Sequence, residues 1–375
     1  MTPAAPAAAP RVDAGVLRRR VLVVDDSAFM RRLVSDVVTS TGEFEVVGTA
    51  RDGDDALRQI HALAPDLVTL DVDMPGLDGL SALRRIMTEC PRPVVMLSAG
   101  GSDGGAEATL RALEAGAVEF VRKPSGAISL DLEVVGERLL EALRAASVAT
   151  LRAPRAAARG AVTTPTPRAP LPAVAPVPAQ LVVIAASTGG PAALAQVIPL
   201  LPAWRDTAVL IAQHMPAGFT ASFARRLHAQ AQLRVEEAAD GALLTAGVVY
   251  VAPGGRHLRV QRTAEGLSLA LGDDAPRWGV RPAADPLFQS AAECFRERAV
   301  GVVMTGMGCD GAEGLAAIRR AGGTGIVQSS ASCVIAGMPE AARALAGADA
   351  VAPLADLAGT IAREVARMTD QRQTQ

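Results

Sequence analysis

Four cysteines in 375 residues, at Cys90, Cys294, Cys309 and Cys333, are too few and too scattered for a disulfide framework or a thiolate metal site. Half of the chain is hydrophobic, yet it has no uninterrupted apolar run long enough to span a bilayer. It also lacks an excess of one charge. Thirty-seven Lys and Arg face 39 Asp and Glu, a formal net charge of -2, so there is no global basic footprint for nucleic acid. The start, Met1-Thr-Pro-Ala-Ala-Pro, reaches Arg18-Arg19-Arg20 with no apolar core between, unlike a signal peptide. These absences predict a cytoplasmic chain without membrane insertion. Histidine is scarce as well, with His61, His214, His228 and His257 the four present for acid–base work.

What is there is alternation. Apolar runs at Val21, Phe44, Leu67, Val94 and Val118 are separated by helix-period segments at 28–40, 54–63, 79–89, 105–115 and 130–145. Such alternation implies a parallel sheet covered on both faces. An Ala- and Pro-rich stretch then runs from Leu151 to Pro178 and reads as a semi-extended linker. Alternation resumes at Leu181 and continues at Ala208, Gly247, Val300 and Thr324, while Arg234 to Leu271 reads as locally antiparallel. The expected fold is α/β throughout: a doubly wound five-stranded parallel domain, a linker, and an α/β parallel-sheet hydrolase domain with antiparallel additions. The expected boundaries are an extension at 1–19, domains at 20–145 and 181–370, and a linker at 146–180. The tail after Arg367 is polar and expected to fray.

Ligand sites of open parallel sheets lie beyond the carboxyl ends of the strands, and four strand ends of the first domain carry matched chemistry. Asp25 and Asp26 end one, Asp71 the second, Ser98 the third and Lys123 the fourth. Crowded acids call for a divalent cation, and Mg2+ takes oxygen ligands. Asp25 and Asp26 would hold it, with the main-chain carbonyl of Asp73 as a third ligand. Asp71 would accept a phosphoryl group, Lys123 would contact the acyl-phosphate, and Ser98 would turn toward it. Helix capping explains Asp25 or Asp71 singly but not the set.

The second domain places other groups at its strand ends. Ser187-Thr-Gly-Gly-Pro191 sets a hydroxyl at a strand-to-helix turn, Gln213-His214-Met-Pro216 a histidine, and Thr305-Gly-Met307-Gly-Cys-Asp310-Gly311 an aspartate after a glycine-rich turn. Nucleophile, base and orienting acid would converge as Ser187, His214 and Asp310, with the Met307 N–H free for an oxyanion. Duller readings stay open. Ser187 would also suit a helix cap or a phosphate cradle, although no P-loop lysine follows. Asp310 would also suit a cap on the helix starting at Gly311. His61 and His228 read as ordinary helix residues, and His257 as loop support or a lining group.

These motifs resemble two families. Asp25-Asp26-Ser27, the run from Asp71 to Gly79, Ser98 and Lys123-Pro124 are similar to response-regulator receiver domains over about residues 20–140. Ser187, His214, Met307 and Asp310 fall on the motifs of the chemotaxis-type protein-glutamate methylesterases over about residues 181–370. One departure stands out: many relatives carry histidine just before the Arg-Pro of a loop where this chain has Val280. The resemblance implies a histidine kinase as phosphoryl donor and chemoreceptor cytoplasmic helices as substrate. It implies removal of methyl groups from glutamate methyl esters, with deamidation of receptor glutamines by the same acyl-enzyme logic. The esterase itself would need no cofactor; Mg2+ belongs to the receiver. Two rivals differ in class: a phospho-dependent adaptor without catalysis, and a serine hydrolase acting on a non-receptor ester.

Overall fold

The computed structural model describes residues 18–98, 103–123, 129–150 and 177–373. Most of the expected 1–19 extension and of the 146–180 linker, with Pro124, lies outside the described residues. The first half alternates strand and helix: β1 (Arg19–Val24), α1 (Ala28–Thr39), β2 (Phe44–Ala50), α2 (Gly53–Leu63), β3 (Leu67–Asp71), α3 (Gly79–Glu89), β4 (Val94–Ser98), α4 (Asp103–Glu114), β5 (Glu119–Arg122) and α5 (Ser129–Val148). The five strands pair in parallel in the order β2-β1-β3-β4-β5. The order reverses between β1 and β3, so a crevice opens beyond their carboxyl ends. β3 and β4 are buried along their whole length, because helices cover both faces.

The second half contains β6 (Gln180–Ala186), α6 (Gly190–Val197), β7 (Thr207–Gln213), α7 (Thr220–Gln230), β8 (Arg234–Glu237), β9 (Val248–Val251), β10 (His257–Thr263), β11 (Gly266–Gly272), α8 (Ala284–Phe295), β12 (Ala299–Val303), α9 (Ala312–Arg320), β13 (Thr324–Gln328), α10 (Gly337–Ala346), β14 (Ala350–Ala352) and α11 (Leu354–Gln373). Seven strands form one sheet in the order β14-β13-β12-β6-β7-β9-β8, every pair parallel, and β10 and β11 form a separate antiparallel pair. Its reversal falls between β6 and β12.

Two expectations need correction. The stretch from Arg234 to Leu271 is not antiparallel throughout, since β8 and β9 join the main sheet in parallel. The tail does not fray at Arg367: α11 continues to Gln373, with Leu357, Ile361, Val365 and Met368 buried at helical spacing.

The two halves share a core. Leu110 and Leu113 of α4 and Phe120 of β5 belong to one buried apolar cluster with Leu194 of α6, and with Phe223 and Leu227 of α7. The rings of Phe120 and Phe219 meet at 4.6 Å, tilted by 41°. Arg226 of α7 forks between Glu107 and Glu114 of α4, and Thr150 N donates to Val334 O at 3.0 Å. The α4–β5 side of the first domain therefore lies against the second.

Candidate active site

Strand register brings Ser187 and His214 together. Ala186 and Gln213 are the last paired residues of β6 and β7, so Ser187 and His214 leave adjacent strands side by side, roughly 5 Å apart. His214 N donates to Ala186 O at 3.0 Å. After Ser187 the chain turns sharply into α6, with Gly189 at φ +76° and Gly190 N donating to Ser187 O at 2.7 Å. The buried Gln213 amide ties the two residues from below, its Nε2 donating to the Ser187 and His214 carbonyls at 3.0 Å each.

On the other side of β6, the end of β12 supplies the glycine-rich turn. Ser187 N donates to Thr305 O at 3.0 Å. A Cβ at position 306 would lie 2.7 Å from Ser187 Cβ and 2.2 Å from Met338 Sδ, so only glycine lets this turn approach the serine. Met307 follows with 45% of its surface exposed, at the rim of the crevice.

Asp310 is 1% exposed and fully engaged. Its Oδ2 lies 2.7 Å from His214 Nε2 and accepts from Ala284 N at 2.5 Å; Asp285 N and Gly311 N donate to Oδ1 at 3.0 Å each. Burial pushes the carboxyl up, but His214 and the N–H groups at the start of α8 outweigh it and hold the pKa below the ordinary aspartate value. The imidazole therefore meets a carboxylate through Nε2, which leaves Nδ1 as the ring nitrogen not engaged by Asp310. Asp310 does cap a helix, but principally α8, and it does so while holding His214.

Asp285 returns the favour. Its Oδ1 accepts from Gly311 N at 3.1 Å and Gly314 N at 2.7 Å, capping α9, while Oδ2 accepts from Trp278 Nε1 at 2.8 Å. Burial, with the negative charge of Asp310 nearby, raises the Asp285 pKa despite these donors. The loop carrying Val280 is thus anchored to the helix that anchors Asp310. His257 supports structure: Ala283 N donates to its Nδ1 at 3.1 Å and its Nε2 faces Ala275 O at 3.2 Å. Burial lowers its pKa and keeps it neutral.

In the first domain, Asp25, Asp26 and Asp71 present ligand atoms within 4.8 Å of one another. Lys123 Nζ lies 2.6 Å from Asp25 Oδ2 and 2.7 Å from Asp71 Oδ2. One ammonium against three acids leaves the crevice short of positive charge, which fits a divalent cation. Burial raises the Asp71 pKa from 3.8 to about 6, although Lys123 opposes the shift. Burial also works against the Lys123 charge, but its two carboxylate partners win and keep its pKa above the ordinary lysine value. Asp73 N donates to Asp71 Oδ1 at 3.3 Å, and the Asp73 side chain points to solvent. Ser98 is buried at the end of β4, where its carbonyl accepts from Lys123 N at 2.8 Å.

The part played by three residues around the second-domain crevice escaped the sequence reading: Gln213, Asp285 and Glu119. Glu119, the first residue of β5, accepts a 2.7 Å hydrogen bond at Oε2 from Thr188 Oγ1, next to Ser187. Burial raises its pKa; the Thr188 and Phe120 donors and the His214 ring pull the other way. Nothing in the sequence ties positions 119 and 188 together, since the contact depends on how two folded halves meet.

Residues 182–361 match the CheB methylesterase family, and residues 21–134 match the response regulator receiver domain family. A curated protein of Symbiobacterium thermophilum, "Protein-glutamate methylesterase/protein-glutamine glutaminase", is 48% identical over 356 residues, covering 92% of this chain and 97% of that protein. A protein of the same name from Halalkalibacterium halodurans is 44% identical over 350 residues, covering 93% and 99%. Among solved structures, the Thermotoga maritima CheB methylesterase catalytic domain is 37% identical with a TM-score of 0.48, covering 49% of this chain and 97% of that one.

Proposed function

The chain belongs to the CheB methylesterase family and carries a response-regulator receiver domain ahead of the hydrolase, and from that premise we propose how its residues perform the family's reaction. The protein is a phosphorylation-regulated protein-glutamate methylesterase that also acts as a protein-glutamine glutaminase. We take 20–145 as the receiver and 181–370 as the catalytic domain. The 2.7 Å pairing of His214 with Asp310, beside a serine brought in by strand register, carries the assignment.

Ser187 Oγ attacks the γ-carbonyl of a glutamyl methyl ester while His214 Nδ1 takes its proton. The Met307 N–H stabilises the oxyanion. Methanol leaves with the proton from His214, and a glutamyl ester of Ser187 remains. Water, deprotonated by His214, then releases glutamate and regenerates the serine. With a glutamine substrate, ammonia leaves instead of methanol. Asp310 stays ionised and stabilises the imidazolium.

Asp71 is the phosphoacceptor. Asp25 and Asp26, with the Asp73 main-chain carbonyl, would hold Mg2+, which neutralises charge on the transferring phosphoryl group when bound. Lys123 neutralises the acyl-phosphate from the other side, and Ser98 is the hydroxyl that turns toward it. The partners are a histidine kinase as donor and the cytoplasmic helices of methyl-accepting chemoreceptors as substrate. No helix among the described residues is long and apolar enough to cross a membrane. Hydrolysis of a glutamate methyl ester by wild type, with loss in Ser187→Ala and His214→Ala, tests the assignment; equal rates in the variants would refute it.

A further inference from the structure

The contact between Glu119 and Thr188 joins the receiver to the turn that presents the nucleophile. Thr188 follows Ser187 directly and is 5% exposed, its carbonyl accepting from Thr305 Oγ1 at 3.0 Å. Its hydroxyl points at the receiver and donates to Glu119 Oε2 at 2.7 Å. The other carboxylate oxygen, Oε1, accepts from Phe120 N at 3.0 Å. Phe120 in turn packs on Phe219, which follows the Gln213-His214-Met215-Pro216 loop in sequence and is buried. Two consecutive receiver residues therefore contact the second domain, and the polar one, beside the residue that follows Ser187, carries a γ-carboxyl on a polypeptide.

That group is chemically the product of the reaction assigned above. A glutamyl methyl ester differs from it by one methyl, and a glutamine by an amide nitrogen. We propose that Glu119 is a built-in product analogue: in the unphosphorylated chain it fills the subsite for the substrate's glutamyl group, and Thr188 is the hydroxyl that binds the glutamyl carbonyl oxygen once the receiver withdraws. The inference rests on the esterase reading and assigns a substrate-touching residue to it. It also gives a reason for a glutamate with a buried carboxyl to stand next to Phe120 where the receiver meets the nucleophile turn.

The test uses the full chain and a short peptide bearing a glutamate γ-methyl ester, with and without acetyl phosphate. Glu119→Asp keeps the charge but shortens the reach by one methylene. It should raise the unphosphorylated kcat/KM about tenfold, the value of one charge-assisted hydrogen bond, and leave the phosphorylated rate unchanged. Thr188→Val should raise KM of the phosphorylated enzyme about tenfold, with Thr188→Ser restoring it. An unphosphorylated rate in Glu119→Asp equal to wild type would overturn the product-analogue reading, since bulk alone would then close the crevice. An unchanged KM in Thr188→Val would overturn the subsite assignment. Phosphorylated wild type inactive on the peptide would instead remove the esterase reading, and this inference with it.

Discussion

At the residue scale, the proposed mechanism turns on His214. In the proposed mechanism a base between a serine and a buried carboxylate must keep one tautomer; the 2.7 Å contact with Asp310 would hold it, and three main-chain N–H groups donate to that carboxylate. Asp310→Asn would preserve the shape but favour the wrong tautomer, and kcat on a glutamyl ester should fall on the order of 10³- to 10⁴-fold. A loss below tenfold, measured under phosphorylating conditions, would contradict the assigned role. Asp71 offers a second test, through pH. Its folded pKa of about 6 lies above the reference 3.8, so the folded chain holds that proton more tightly than the unfolded one. The resulting stability is fully present below about pH 4 and is lost as pH rises through about 6. Asp71→Asn escapes this loss. In chelator it should be more stable than wild type at pH 7.5, by up to about 3 kcal/mol, with the gain vanishing near pH 4. An equal gain at both pH values would point to packing rather than titration.

At the scale of elements, the site is made by strand ends and helix starts meeting across the sheet. Strand ends were legible in the sequence, because Leu67-Val-Thr-Leu-Asp71 and Leu181 to Ser187 are apolar runs that stop at a reactive group. The misread edge has a physical cause. β8 reads Arg-Val-Glu-Glu, with Arg234 exposed and Val235 buried, and that alternation is the signature of an edge strand whether its neighbour is parallel or antiparallel. The cross-capping of α8 and α9 was not legible at all. Asp310 reads in sequence as a cap for the helix that follows it, and only the fold shows it serving the start of α8 while Asp285 serves α9. Asp285→Ala should cost about 2 kcal/mol from the lost cap and the unpaired Trp278 and Gly314 donors. It should also lower kcat by loosening Asp310; a thermal shift without a kinetic effect would restrict Asp285 to stability. Gly306→Ala would force Ser187 or Met338 aside and should abolish turnover while the chain still folds.

At the scale of the whole molecule, two α/β sheets with their own switch points are coupled through one side of the receiver. The contact is apolar at Phe120 and Phe219, ionic at Arg226, and polar at Thr188. Each layer acts differently. The aromatic pair supplies roughly 0.5–1.5 kcal/mol beyond its burial, and the forked Arg226 fixes orientation. Arg226→Glu would set like charges against Glu107 and Glu114. It should raise basal turnover without acetyl phosphate while leaving the fully phosphorylated rate near wild type; an unchanged basal rate would mean that the ionic clamp does not hold the closed form. That the first half controls the second is legible from the order of the two domains, but these contacts are not, because they join residues more than 60 positions apart through no shared motif.

The most direct test is release of labelled methanol from methylated chemoreceptor membranes by wild type, Ser187→Ala and Asp71→Asn, each with and without acetyl phosphate. The account expects wild-type release to rise with acetyl phosphate, Ser187→Ala to release none in either condition, and Asp71→Asn to stay at the basal rate in both. Release that persists without Ser187, or that rises with acetyl phosphate when Asp71 is gone, would contradict it.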